Sequence, residues 1–508
     1  MSALPSNVGL PASMMLGHLD NSVPPDTRSY TAKIQPSNVS QITTTISSLT
    51  APLAQTAVYV QPDMTFPSQQ IIFDLPCGAS PSTFLDPRAT TISFRATYTI
   101  TTIGTTATYV GSFLRSGAYS FFDRMSITSQ NGSIIEDITE YGLVNDTLIA
   151  LQMNNAVRHG VANQYGFNVD VAGPVANAVA TIDVGSQGHI INILSAANGT
   201  PANNQSESHS YSFPLVSGVV GVLNDKMLNI GRTSKLQVVL QTSNILPVTL
   251  VNNFTAANSV APTITVMLDN FSLMCEYIDI GTNALEMLDK TLVDGIAYSH
   301  GTTYRSTTTS LPSNVTGSTS LLAGVRASSV KSLFARFVEN GTASATLANG
   351  KYSSKNPMAN SLNFNIGGLK YPQAPINPIL FPAMCFRDLQ LAIGSWNNAM
   401  FQSCVTPSNY CKLSAGGTAS GLTTGTTQEN SWSVGDSALQ QAQFIFGENL
   451  ETIPHGGLLS GLNCTSAPIF LELNIATAPT NAHTAYIHAM CDHILVHNVH
   501  SGDLQVRI

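Results

Sequence analysis

Charge is what this sequence has least of. Only 10% of its 508 residues are Asp, Glu, Lys or Arg, against roughly a quarter in an average soluble domain. Thr, Ser, Asn and Gln fill the polar positions instead. Two readings follow. The solvated faces of a Thr-rich β protein can be lined with hydroxyls, or much of the surface is covered by partners, since charges are depleted at interface cores. The formal net charge is −8, and no run of Lys or Arg occurs. Strong direct binding to nucleic acid needs clustered cations that release counterions, so it is not expected.

Other absences narrow the function further. No apolar run approaches the roughly 18 residues of a membrane-spanning helix. The first twenty residues lack a basic segment followed by an apolar one, so no secretory signal is expected there. Seven cysteines are scattered from Cys77 to Cys491. A secreted disulfide scaffold would be shorter and denser, so mostly free, half-buried thiols in a reducing compartment are expected. Cys404 and Cys411 lie near enough in sequence to bridge or to remain free. Sequons such as Asn253-Phe254-Thr255 and Asn314-Val315-Thr316 arise by chance in a chain so rich in Asn and Thr. No Gly-x-Ser-x-Gly elbow, no HExxH and no pair of carboxylates on one face is found. The segment 341–352 fails the phosphate-loop pattern, with Ala345 in place of the second Gly and Tyr352 in place of Ser or Thr.

What is present is β pattern. The length favours two domains. In Ser210–Asn244 a strand-like run enters at Tyr211. Val219, Leu223 and Met227 then fall at helical spacing behind a possible Ser217 cap, and Leu236, Val238 and Leu240 alternate out. The cleanest strand has Ile92, Phe94, Ala96, Tyr98 and Ile100 on one face and hydroxyls plus Arg95 on the other. Ser129-Gln130-Asn131-Gly132 reads as a hairpin turn between strands 125–128 and 133–138. Residues 136–153 turn helical through Tyr141, Val144, Leu148 and Leu151. Residues 263–279 alternate again, with Met267, Phe271, Leu273, Cys275 and Tyr277 on one face.

Asn283 and Glu286 form a capping box ahead of Leu285, Leu288 and Leu292, and the domain boundary is set here. Beyond it, 329–338 is apolar on both faces, 385–394 is a short helix, and strands follow at 444–446, 469–475, 486–498 and 504–508. Residues 1–50 read as an extended arm, 51–281 as a first sandwich with a long loop at 154–209, and 282–508 as a second with a long loop at 395–441. The expected class is all-β, with helices only as short crossovers.

Cys491, His493 and His497 share one face of the last long strand, with His488 and His500 near. Cys491 and His497 lie roughly 20 Å apart along a strand, too far for one metal. Imidazoles on a half-buried face are therefore expected, and a pH-sensitive contact is conceivable because His titrates near neutrality. Asp123 with Arg124, and Arg387 with Asp388, read as candidate ion pairs. No catalytic, cofactor-binding or metal residue is nominated.

The order of these signals resembles the double jelly-roll major capsid proteins of virophages, polinton-like viruses and related DNA viruses, the PRD1–adenovirus-like capsid lineage. The matching stretches run from LPCGASPSTFLDPRATTISFRATY at 75–98 through FPLVSGVVGVLNDKMLNIG at 213–231 to HILVHNVHSGDLQVRI at 493–508. They also include SGAYSFFDRMSITSQNGSIIEDITEYGLV at 116–144, VKSLFARF at 330–337 and FIFGENLE at 444–451. The resemblance implies two antiparallel sandwiches side by side. It also implies a homotrimer with a pseudo-hexameric outline, tiling the icosahedral shell of a double-stranded DNA virus beside neighbouring capsomers, penton and minor capsid proteins. It implies no enzymatic activity and a location in the virion, assembled inside the host cell. The loops 154–209 and 395–441 would form outer towers, and the arm would lie inside. Because that arm holds only Arg28 and Lys33 as cations, another protein or an internal membrane is expected between shell and genome. The alternatives are a secreted β-sandwich adhesin or carbohydrate-binding protein, which needs a signal and exposed aromatics, and a polysaccharide hydrolase, which needs paired carboxylates.

Overall fold

The computed structural model describes residues 28–46, 59–60, 64–78, 80–102, 107–114, 116–129, 132–166, 190–195, 205–254, 263–290, 292, 294–340, 351–394, 403, 405, 410–411, 413, 443–451 and 460–507. The first strands, β1 (Arg28–Ile34) and β2 (Gln41–Ile46), pair end to end along one edge of a 17-residue strand, β15 (Thr263–Asp279). They join β6 (Thr83–Thr102) and β11 (Gln205–Pro214) in one sheet, in the order β1–β15–β6–β11. The facing sheet is β5 (Gln70–Asp74), β12 (Leu236–Thr242), β8 (Phe122–Ser129) and β9 (Ile134–Thr139). With β1 and β2 counted as one strand, the eight strands lie in the order first, eighth, third, sixth over second, seventh, fourth, fifth. That arrangement is a jelly roll.

The second half repeats it. One sheet runs β16 (Ile296–Leu311), β23 (His483–Asn498), β18 (Val330–Glu339), β21 (Ile445–Asn449). The other runs β17 (Gly317–Ala323), β22 (Ile469–Ile475), β19 (Ala359–Ile366), β20 (Leu369–Ile376). The order is again first, eighth, third, sixth over second, seventh, fourth, fifth. A final strand, β24 (Asp503–Arg507), pairs with the end of β23. Among the described residues no strand of one half pairs with a strand of the other.

Each roll is closed by apolar residues at period two. Ile92, Phe94, Ala96 and Tyr98 of β6 are all at most 2% exposed. Phe94 reaches across the sandwich to Phe121 and Phe122 at ring distances of 5.7 and 5.6 Å. In the second roll Phe364 stacks on Phe446 at 5.3 Å, and Phe337 on Phe444 at 6.3 Å. The hairpin between β8 and β9 forms with Gly132 at φ +75°, where an L side chain is strained.

Several sequence expectations change. Residues 28–46, expected within the arm, are instead the first strand of the first roll, because β6 pairs one edge of the long β15 and β1 and β2 pair the other. Residues 217–227 form turns and no helix. Ser217 does cap, but its Oγ accepts from Val219 N and Val220 N of a tight turn, and the chain bends back so that Val222 N bonds Leu215 O. Residues 136–139 belong to β9, and the helix begins only at Tyr141 (Tyr141–Gln152). The alternation of 263–279 is broken at Asn270, φ +53°, where the pairing register with β6 shifts. Ile264, Val266 and Leu268 therefore face inward before it, Phe271 and Leu273 after it, and Met267 lies on the other face.

The helix Gly281–Asp289 has Ile280 at its cap with no side-chain bond, so the expected Asn283 capping box is not formed, and Leu288 is exposed. The loop 154–209 is not wholly irregular. It carries the helical turns Asn155–Gly160 and Ala162–Tyr165, the strand β10 (Ile190–Ser195) and the start of β11. Strand β10 joins a small extra sheet with β7 (Ala107–Leu114), β14 (Val248–Phe254) and β3 (Tyr59–Val60), which prolongs one end of the first roll. Most of 395–441 and most of the segment 341–352 lie outside the described residues.

Candidate functional site

The chemistry of this molecule is concentrated where the two rolls meet. Strand β18 is buried along both faces, so the single arginine within it has nowhere to reach water. Arg336 is 0% exposed. Its Nη1 donates to Asp146 Oδ2 at 2.7 Å and to Thr147 Oγ1 at 3.1 Å, both on the helix Tyr141–Gln152 of the first roll. Its Nη2 donates to Tyr352 O at 2.9 Å. The other oxygen of Asp146 accepts from Tyr119 Oη at 3.1 Å and from Ser116 Oγ. A buried carboxylate and a buried guanidinium thus pair inside a hydroxyl shell, as burial of charge requires, with only Arg336 Nε left without a partner.

A second bridge lies alongside. Lys351 of the second roll donates to Asp123 Oδ1 at 2.6 Å and pairs with Glu140 Oε2 at 2.9 Å. Burial draws the ammonium pKa down, but the two carboxylates outweigh it and leave it above its ordinary value. Tyr352 Oη donates to Ser120 O at 3.2 Å, and a Cβ on Gly142 would meet that hydroxyl at 2.5 Å. A side chain at Gly142 would therefore have to displace the Tyr352 hydroxyl from the contact between the helix Tyr141–Gln152 and the second roll.

The turn after β11 forms a third contact. Glu136 is 4% exposed. Its Oε1 accepts from Gly218 N at 2.8 Å and from Thr303 Oγ1 of β16 at 2.6 Å, and its Oε2 accepts from Ser217 Oγ. Burial pushes this carboxyl above its usual range, and the hydroxyls of Ser217 and Thr303 and the backbone N–H groups of Gly218 and Val219 act against that rise. A Cβ on Gly218 would collide with Thr302 O and the His493 ring, and one on Gly301 would lie 2.7 Å from His493 Cε1. Gly218→Ala is accordingly expected to destabilise the chain by about 1–3 kcal/mol, because backbone stands on one side of the collision. A denaturant midpoint unchanged from the parent would contradict this packing. At the far end Arg232 holds Asp289 in two parallel bonds of 2.6 and 2.7 Å, and Ser234 N donates to Gly502 O at 2.8 Å.

The residues singled out from sequence land as follows. Cys491, His493 and His497 are all buried on β23, not half-buried, and their contacts diverge. Cys491 Sγ lies 3.8 Å from Ala489 O, His493 lies against Gly218 and Gly301, and His497 Nε2 lies 3.3 Å from Thr233 Oγ1. No group of three or more potential metal ligands occurs among the described residues. Asp123 and Arg124 do not pair with each other. Adjacent strand residues point to opposite faces, so Asp123 turns to Lys351 and Arg124 to Asp137. Arg387 and Asp388 do pair, at 3.1 Å. Cys404 lies outside the described residues, and the six described cysteines are free thiols. The seam charges Glu136, Asp146, Arg336 and Lys351 were not singled out. The available signal was Arg336 itself, a cation inside a strand apolar on both faces.

No protein-family model matches the sequence, and no curated protein matches it. Solved structures do. The chain is similar to the major capsid protein of Faustovirus at 11% identity, over 92% of this chain and 90% of that one, with a TM-score of 0.50. It is equally similar to a chain of the Sputnik virophage particle at 14% identity, over 91% and 90%, with a TM-score of 0.50. At such identities the likeness is one of fold, and it extends over both jelly rolls.

Proposed function

We propose that this chain is a structural protein, the major capsid protein of an icosahedral double-stranded DNA virus. Its two domains divide at the helix Gly281–Asp289 and stand side by side as one building block. The observation that carries this reading is the tandem of two complete jelly rolls joined by the buried Arg336–Asp146 pair and the half-buried Lys351–Asp123 pair, in a fold shared over nine-tenths of both chains with the Faustovirus capsid protein. A rigid pair of sandwiches gives one chain two similar contact faces, so three chains make a six-sided block. The low charge suits such a role, since obligate interfaces bury on the order of 2,000–5,000 Å² and exclude charge from their cores.

In this reading the chain forms homotrimers that contact neighbouring capsomers, penton and minor capsid proteins, and it resides in the virion. It carries no enzymatic role. Nucleic acid is not gripped directly, and an internal membrane is a possible neighbour. Among the described residues no helix is long and apolar enough to cross one.

Light scattering on a sizing column tests the reading. A stable species near three times 53.8 kDa is expected. A clean monomer that stays monomeric under every assembly condition tried, and never forms shells by electron microscopy, would overturn it.

A further inference from the structure

Three imidazoles of β23 sit at the seam, and the capsid role does not use them. His488, His493 and His497 are 1%, 1% and 4% exposed. His493 fills the space between Gly218 of the first roll and Gly301 of the second, and only glycine fits against it from either side. His497 Nε2 lies 3.3 Å from Thr233 Oγ1 and 3.4 Å from Arg232 O, both of the first roll. His488 Nδ1 bonds Ser306 Oγ at 2.7 Å, while its Nε2 has no partner.

We propose that the seam is a proton-sensitive latch, in which charging His488, His493 and His497 parts the two rolls before either sandwich unfolds. The charges around each ring decide the direction. His488 faces two cations, Arg336 and Lys351, whose own carboxylates (Asp146, and Asp123 with Glu140) are already engaged. His493 faces His300 from β16 and Asp492 from its own strand. That carboxylate is occupied by His300, Ser329 and Lys331. Glu136, which binds Gly218 N beside His493, is the one acid whose response opposes the latch. His497 faces Arg232, which Asp289 holds.

Burial, reinforced by Arg336 and Lys351, lowers His488 from 6.5 to about 3. Burial, reinforced by His300, lowers His493 to about 4, and burial lowers His497 in the same direction. A depressed histidine means that the closed seam binds fewer protons than the open one. Closure is therefore unaffected above pH 6.5 and weakens as pH falls below it, by up to tenfold per pH unit for each ring. The weakening ends once pH passes the closed-state values, near 4 for His493 and near 3 for His488. Glu136, raised by burial, shifts the balance the other way over its own titration.

Hydrogen exchange by mass spectrometry on the full chain, at about pH 7 and about pH 4.5 with intrinsic rates corrected, reads this directly. Residues 213–224 and 298–306 are expected to lose protection by roughly 100-fold or more at the lower pH. Residues 92–98 and 469–475, in the sandwich cores, should keep theirs. In H488Q/H493Q/H497Q the seam protection should no longer fall at the lower pH, because only the opposing response of Glu136 remains. Loss of seam and core protection together, or seam protection equal at both pH values, would overturn the latch. If the triple variant does not fold, those two wild-type outcomes still decide it. The measurement concerns one chain, so it stands or fails independently of trimer formation and of the capsid reading.

Discussion

Phe94→Asp is expected to abolish folding of the first roll and, with it, any higher assembly. Phe94 is 2% exposed and sits at the centre of five rings: Phe121, Phe122, Tyr211, Phe213 and Phe271, at centroid distances of 5.5 to 6.5 Å. Removing such a ring alone costs about 3–5 kcal/mol. Placing a carboxylate there adds a desolvation cost that no neighbour offsets, since the surrounding rings offer no donor at that point. The sum approaches the entire stability of an ordinary domain. Phe94→Leu, which keeps the volume apolar, should retain a cooperative transition at a lower midpoint. Thermal unfolding of soluble protein checks both, and a Phe94→Asp chain melting normally would refute the placement of β6 in the core.

The second large effect is at the seam. Asp146→Ala removes the partner of a fully buried guanidinium and should destabilise the chain by about 3–5 kcal/mol. Tyr119, Ser116 and Thr147 remain, but none carries the charge that Arg336 needs. The double variant Asp146→Ala, Arg336→Met should recover most of that loss, because the uncompensated charge is gone. Denaturant midpoints of parent, single and double variants give the coupling. If Asp146→Ala costs under about 1 kcal/mol, Arg336 is not held as described. If the double variant is no better than the single, the cost lies in packing and not in charge.

The two effects differ in how far the sequence announced them. Phe94 was legible because its strand alternates cleanly, and alternation reports directly which side chains are buried. Asp146 was not, because its helix is buried nearly all round and shows no polar stripe from which to read an orientation. Strand Ile296–Leu311 was unread for the opposite reason. Its run of Thr and Ser looks like loop composition, and only pairing with all sixteen residues of β23 makes it a strand. Residues 217–227 carried a helical spacing of Val219, Leu223 and Met227. The turn won because Gly218 and Gly221 permit approaches that a helix would forgo, and because Glu136 captures Ser217 and Gly218.

By itself the sequence determined the all-β class, the core faces of the regular strands and the hairpin at Gly132. Period-two burial and positive-φ turns are local requirements, written in neighbouring residues. The tertiary structure decided what depends on distant segments. It fixed the recruitment of residues 28–46 to the edge of β15, the register shift at Asn270, and the choice of Lys351 by Asp123 over its neighbour Arg124. It also placed three histidines between two rolls. Each is a competition for partners far away in the chain, and a buried charge or an unpaired strand edge takes the partner that the fold delivers.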